Sequence, residues 1–201
     1  MDQDVLKYIE GIPQLATPCC ARSISGVPGS ARQQDGAVQR SEAIFAAGCF
    51  WGVQFYFDQV PGVIKTEVGY IGGHVDNPSY EAVCTHTTGH AEAVKITFDP
   101  AKVTYKTLLM QFFRMHDPTQ LNRQGPDIGD NYRSAIFYLD ESQKTTADEE
   151  IKILNSSSKF HKPIVTTLEK ADKFWPAESY HQKYTEKTGM GACHVDYAPA
   201  N

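Results

Sequence analysis

The sequence predicts an α+β fold, a two-layer arrangement in which helices pack on a mixed β-sheet, and three observations carry that prediction. Strand-like and helix-like segments alternate from Ala43 onward, with no internal repeat. Residues 91–99 (AEAVKITFD) alternate apolar and polar side chains, the period of a half-buried strand. In 104–116, Tyr105, Leu108, Leu109 and Phe112 recur at i, i+3, i+4 and i+7, the stripe of an amphipathic helix, with Thr104 as its cap.

The remaining elements follow in order. Residues 43–47 (AIFAA) read as a short buried strand, and 48–60 (GCFWGVQFYFDQV) as a turn opening into a helix. VIKTEVGYIGG (63–73) is a strand that runs into glycines, and SAIFYLD (134–140) is another strand. ESQKTTADEEIKIL (141–154) has the charge density of a surface helix. PIVTTLEK (163–170) reads as the last strand, AESYHQKYTEK (177–187) as a helix, and TGMGACH (188–194) as a flexible, Gly-rich tail. Residues 1–41 differ in texture. They are rich in Pro, Gly, Ser and Gln and lack sustained periodicity, so they are expected to form an N-terminal extension, with one short helix near 5–9, ahead of a catalytic domain over 42–201.

Composition narrows the function classes. At 201 residues with 41% hydrophobic and 21% charged side chains, the chain can bury a core as a soluble protein. A net charge of -5 disfavours capture of nucleic acid or anionic membrane, and no apolar run approaches bilayer length. The start, MDQDVLKYIE, is a poor secretory signal. ARSISGVPGSAR hints at a transit peptide, but Asp2, Asp4 and Glu10 oppose it, so the cytoplasm is the expected compartment. The five cysteines (Cys19, Cys20, Cys49, Cys84, Cys193) form neither a disulfide framework nor a zinc pattern. No metal is expected, and His86 and His90 are separated by helix-averse residues.

Five segments carry candidate chemistry. In Gly48-Cys49-Phe50-Trp51-Gly52 a thiol stands where a strand turns into a helix, and the helix N-terminus favours its thiolate. Phe50 and Trp51 beside it offer an apolar wall. Glu92, among small and apolar residues at the start of a strand, should have its pKa raised by burial and could serve as a general acid; an inward acid held in a salt bridge is the structural alternative. Tyr80, Asp127 and Tyr132 lie in polar, Gly- and Pro-containing stretches. There they could face a pocket or simply serve turns and packing. Cys193, in the Gly-rich tail, has the setting of a resolving thiol, whereas Cys84 in EAVCT reads as a small packed residue. Adjacent Cys19 and Cys20 are expected to be free thiols.

Three blocks in order, GCFWG, GYIGGHVDNPSYEAVCTHTTGHAEAV and HDPTQLNRQGPDIGDNYRSAIFY, resemble the A-type methionine sulfoxide reductases, and the resemblance runs from about Ala43 to Cys193. It implies a ferredoxin-like fold and reduction of methionine S-sulfoxide, protein-bound or free, without metal or organic cofactor. By position it makes Cys49 the nucleophile and Glu92 the proton donor. Tyr80 and Tyr132 become the phenols near the sulfoxide oxygen, Asp127 the pocket acid, and Phe50 and Trp51 the wall for the methyl group. Cys193 would resolve the sulfenic acid, thioredoxin would reduce the disulfide, and the enzyme would act as a monomer. Two other classes stay open on the residues alone. A cysteine hydrolase would draw a base from His74, His90 or His116, and a non-catalytic methionine-binding module would leave the thiols Cys49 and Cys193 unexplained.

Overall fold

The computed structural model describes residues 39–157 and 159–191. The expected helix near 5–9, Cys19, Cys20, Cys193 and the end of the Gly-rich tail lie outside the described residues.

β1 (Ser41–Ala47) leads through Gly48 into α1 (Phe50–Asp58), and β2 (Val63–Ile71) follows. A short helix, α2 (Tyr80–Cys84), precedes β3 (Ala91–Phe98), and α3 (Tyr105–Met115) returns the chain. A two-residue hairpin, β4 (Arg123–Gln124) with β5 (Asp127–Ile128), and a 3-10 turn (Asp130–Tyr132) lead into β6 (Ser134–Tyr138). Then come α4 (Glu141–Ser156), β7 (Thr167–Lys170), β8 (Trp175–Pro176) and α5 (Tyr184–Thr188). The main sheet has the order β7-β6-β1-β3-β2-β8. β6 and β7 are parallel and the other pairs antiparallel, so the sheet is mixed as expected. The four central strands, β6-β1-β3-β2, interleave two β-α-β units in the ferredoxin-like pattern.

Strand alternation sorts the core. Ala43, Phe45 and Ala47 of β1 join Val94 and Ile96 of β3 under α1, α3 and α4, whereas Ile44 and Ala46 face the other side with Ala93, Phe137 and Phe174. Glu92 shares the parity of Val94 and therefore belongs to the helix-covered face. The cap of α3 is the expected one: Thr104 Oγ1 accepts the Thr107 N–H at 3.1 Å. Phe112, fully buried, stacks on Phe45 at 5.1 Å and meets Phe113 edge-on at 4.9 Å. Phe112→Ala is therefore expected to lower unfolding stability by about 3–5 kcal/mol, the usual cost of emptying a buried aromatic site. A urea midpoint unchanged from the parent would contradict this packing.

Two elements differ from the sequence expectation. Residues 163–170 do not hold the last strand, because Trp175–Pro176 adds a further two-residue strand on β2. The helix expected over 177–187 is confined to Tyr184–Thr188. Its first half is pulled out of helical geometry by distant partners. The Gln182 amide donates to Val68 O (2.8 Å) and Ala177 O (3.0 Å), and the Lys183 N–H donates to Gln54 Oε1 (2.6 Å). Lys183 itself takes a left-handed φ of 57°. Among the described residues no helix is long and apolar enough to cross a membrane.

Candidate active site

Four strand ends meet at one edge of the sheet. β1 and β2 run toward it and finish at Ala47 and Ile71, whereas β3 and β6 are antiparallel to β1 and set out from it at Ala91 and Ser134. The predicted residues sit in these junctions. Cys49 follows β1, Tyr80 lies between β2 and β3, Glu92 begins β3, and Asp127 and Tyr132 precede β6. Topology brings together positions far apart in sequence.

Gly48 turns the chain at φ 89°, a conformation a residue with a Cβ adopts only at a cost. Cys49 then becomes the N-cap residue of α1, 7% exposed, and its carbonyl accepts the Val53 N–H at 3.4 Å. First-turn amides without helical partners and the positive end of the helix dipole favour negative charge on the sulfur. Glu92, 2% exposed, accepts the Phe50 N–H through Oε2 at 3.1 Å. That bond ties the start of β3 to the residue after Cys49, so acid and thiol are held together by backbone.

Both phenols face this carboxyl. Burial foremost, then the Cys84 side chain and the charge of Glu92, pushes the Tyr80 hydroxyl far above its ordinary pKa. Burial likewise raises Tyr132, with the charges of Glu92, Cys49 and Asp127 adding to it. Each phenol stays protonated at neutral pH and can donate a hydrogen bond. Asp127 lies in the β4–β5 hairpin opposite Gln124, with Oδ2 shut off from solvent. Phe50 is fully buried against Tyr70, with ring centroids 5.8 Å apart, and Trp51 is half-buried above it. Cys84 is half-buried beside Tyr80, and burial pushes its thiol up.

Sequence reading missed the residues that frame this edge from the C-terminal side. Trp51 stacks on Tyr184 with centroids 3.9 Å apart and 16° between planes, and its Nε1–H donates to His181 Nδ1 at 2.9 Å. Glu178 accepts the Tyr80 N–H (2.9 Å) and the Tyr70 hydroxyl (3.0 Å), clamping α2 to β2. Burial would raise Glu178, but these donors and its own amide outweigh it and hold the carboxyl below its usual range. Local signal was confined to the density of polar and aromatic side chains in 178–184 (ESYHQKY). Two of the histidines named as candidate hydrolase bases, His90 and His116, are held by other partners. His90 Nε2 bonds Val75 O at 2.8 Å, and His116 lies between Phe112 O and Ser134 Oγ, each at 2.7 Å.

The family model described as peptide methionine sulfoxide reductase matches residues 41–201. Peptide methionine sulfoxide reductase MsrA of Methanothermobacter thermautotrophicus is 53% identical over 154 residues, covering 77% of this chain and 91% of that protein. The MsrA of Geobacter sulfurreducens is 55% identical over 152 residues, covering 76% of this chain and 94% of its own. Among solved structures, reduced Mxr1 from Saccharomyces cerevisiae superposes with a TM-score of 0.71 at 30% identity, over 81% of this chain and 91% of that one. An enclosed thiol, a buried carboxyl and two protonated phenols thus lie on a fold and a sequence shared with these relatives, and the chain belongs to the peptide methionine sulfoxide reductase family of oxidoreductases.

Proposed function

We propose that this chain reduces methionine S-sulfoxide, protein-bound and free, to methionine through a sulfenic acid on Cys49. The observation that carries the reading is the Glu92–Phe50 hydrogen bond, because it holds a buried acid next to the residue bearing the thiol. The Cys49 thiolate attacks the sulfoxide sulfur while Glu92 gives a proton to the oxygen and the Tyr80 and Tyr132 hydroxyls donate to it. The sulfoxide S–O bond and the transient bond between Cys49 and the substrate sulfur break as the protonated oxygen passes to Cys49, so methionine departs and Cys49 is left as the sulfenic acid. Cys193 then condenses with it, releasing water and forming a disulfide that thioredoxin reduces by exchange. Gly191, two residues before Cys193, supports this pairing. A Cβ built on it would lie 3.0 Å from Trp51 Cε3, and two extended residues reach about 7 Å further. On this reading Asp127 steadies Tyr132, Phe50 and Trp51 receive the substrate methyl, and residues 42–201 form the catalytic unit behind an extension over 1–41.

The direct test is to incubate the protein with each sulfoxide epimer and dithiothreitol and to quantify methionine. The S epimer should be consumed; turnover of neither epimer would refute the reading. Glu92→Gln gives a finer test, because the amide oxygen can still accept the Phe50 N–H while the transferable proton is gone. The reduction step is expected to slow by about a hundredfold, the usual scale of lost acid catalysis. A single-turnover rate equal to the parent's at pH 7 would remove Glu92 from the mechanism.

A further inference from the structure

We propose that His181 is a positioning residue that sets the plane of Trp51 and thereby the apolar wall of the substrate site. The inference rests on the reductase reading above, which makes Trp51 a wall for the methyl group. An indole nitrogen can only donate, so the 2.9 Å contact from Trp51 Nε1 assigns the lone pair to His181 Nδ1 and the proton to Nε2. That tautomer follows from geometry without reference to pH.

His181 is 1% exposed and enclosed by rings. The centroids of Tyr180, Tyr80, Phe50 and Trp51 lie 4.2, 4.5, 5.2 and 5.5 Å from its own. Its Nε2 has no hydrogen-bond partner, and Glu178 Oε2 stands 4.0 Å away, at the limit of an ion pair. The imidazole therefore has one directed bond, and that bond ends on Trp51. Tyr184 covers one face of the indole and His181 holds its edge, so the orientation of the half-buried wall is set from residues 130 positions away. Leaving a buried indole N–H without an acceptor costs enough to make a different orientation preferable.

The arrangement works only while Nδ1 is unprotonated. The groups facing His181 are Glu178 and Tyr180 on its own segment and Tyr80 and Glu81 on α2; Tyr70 on β2 is engaged with Glu178. The acids Glu178 and Glu81 favour the imidazolium, but burial outweighs them and holds the His181 pKa below its ordinary 6.5. The unfolded chain takes up this proton near the ordinary value and the folded one only at lower pH. The Trp51–His181 bond is thus intact at neutrality and lost only when the pH falls through the lowered folded-state value; the stability this contributes is present above the ordinary 6.5 and declines as the pH falls from there.

The test reads Trp51 directly. The chain has 2 tryptophans, so Trp175→Phe leaves Trp51 as the sole indole emitter. In that background emission should be constant above pH 6.5 and shift on further acidification, with circular dichroism unchanged. His181→Phe keeps a ring but removes the acceptor. It should shift the emission at neutral pH, abolish the acid transition and raise KM for the S-sulfoxide about tenfold, with a smaller change in single-turnover rate at saturation. His181→Asn returns an oxygen acceptor near Nδ1 and should recover most of the emission and KM while showing no acid transition. Unshifted emission and unchanged KM in His181→Phe would overturn the proposal, as would an Asn variant no better than Phe. If the parent turned over neither epimer, the reductase reading would fail while the emission arm still reported the bond.

Discussion

Cys49→Ser is expected to reduce methionine formation to the rate given by dithiothreitol without protein. The substitution keeps the side-chain length and the small volume at a position 7% exposed, so the turn through Gly48 and the start of α1 should survive. What changes is the acidity of the nucleophile. A helix N-terminus and neighbouring donors can bring a thiol into its anionic form near neutrality, but a serine hydroxyl starts far too high for the same help to suffice. Serine oxygen is also unable to hold the transferred oxygen as a sulfenic acid, so the product state of the first step disappears with the thiol. The measurement is single-turnover methionine release, with thermal unfolding as the control for fold. Release of about one methionine per chain from Cys49→Ser would place the nucleophile elsewhere. The contrast with Glu92→Gln is informative, because losing the acid should slow the step while losing the thiol should end it.

Much of the scaffold was legible because its signals are local. The alternation of 91–98 and the stripe through Tyr105, Leu108, Leu109 and Phe112 mapped onto β3 and α3. The interleaved strand order followed from family resemblance rather than from any local pattern. Residues 177–187 misled for a physical reason. Their composition suits a helix, but Gln182 and Lys183 form hydrogen bonds with Val68 and Gln54, more than 100 positions earlier in the chain. The two-residue strand Trp175–Pro176 depends on β2 for its existence and carries no periodicity of its own. The candidate site was legible as residue types in suitable settings, Cys49 at a helix start and Glu92 in an apolar strand. The tie between Glu92 and Phe50 N–H was not, nor were Glu178 and His181, whose surroundings are supplied by α1, α2 and β2.

Cys193→Ser is expected to separate the two half-reactions. In a single turnover the variant should still release about one methionine per chain, since attack by Cys49 precedes resolution. With thioredoxin as the reductant it should then stall, because no protein disulfide forms for the partner dithiol to exchange with. Dithiothreitol, a small dithiol, should reach Cys49, 7% exposed as the thiol, and restore multiple turnovers. Cys84 is the competing thiol among the described residues. It is half-buried beside Tyr80, and burial raises its pKa, so it offers little thiolate at neutral pH. It is also fixed in the last turn of α2, whose N-terminus Glu178 clamps to β2. Cys84→Ser and the Cys19/Cys20 double variant should accordingly turn over like the parent. Full thioredoxin-dependent turnover by Cys193→Ser would overturn the assignment, and peptide mapping of the oxidised protein would then be expected to find Cys49 bonded to Cys84. On the proposed pairing, Gly191 is the last described residue before Cys193, and a Cβ built on it would lie 3.0 Å from Trp51 Cε3.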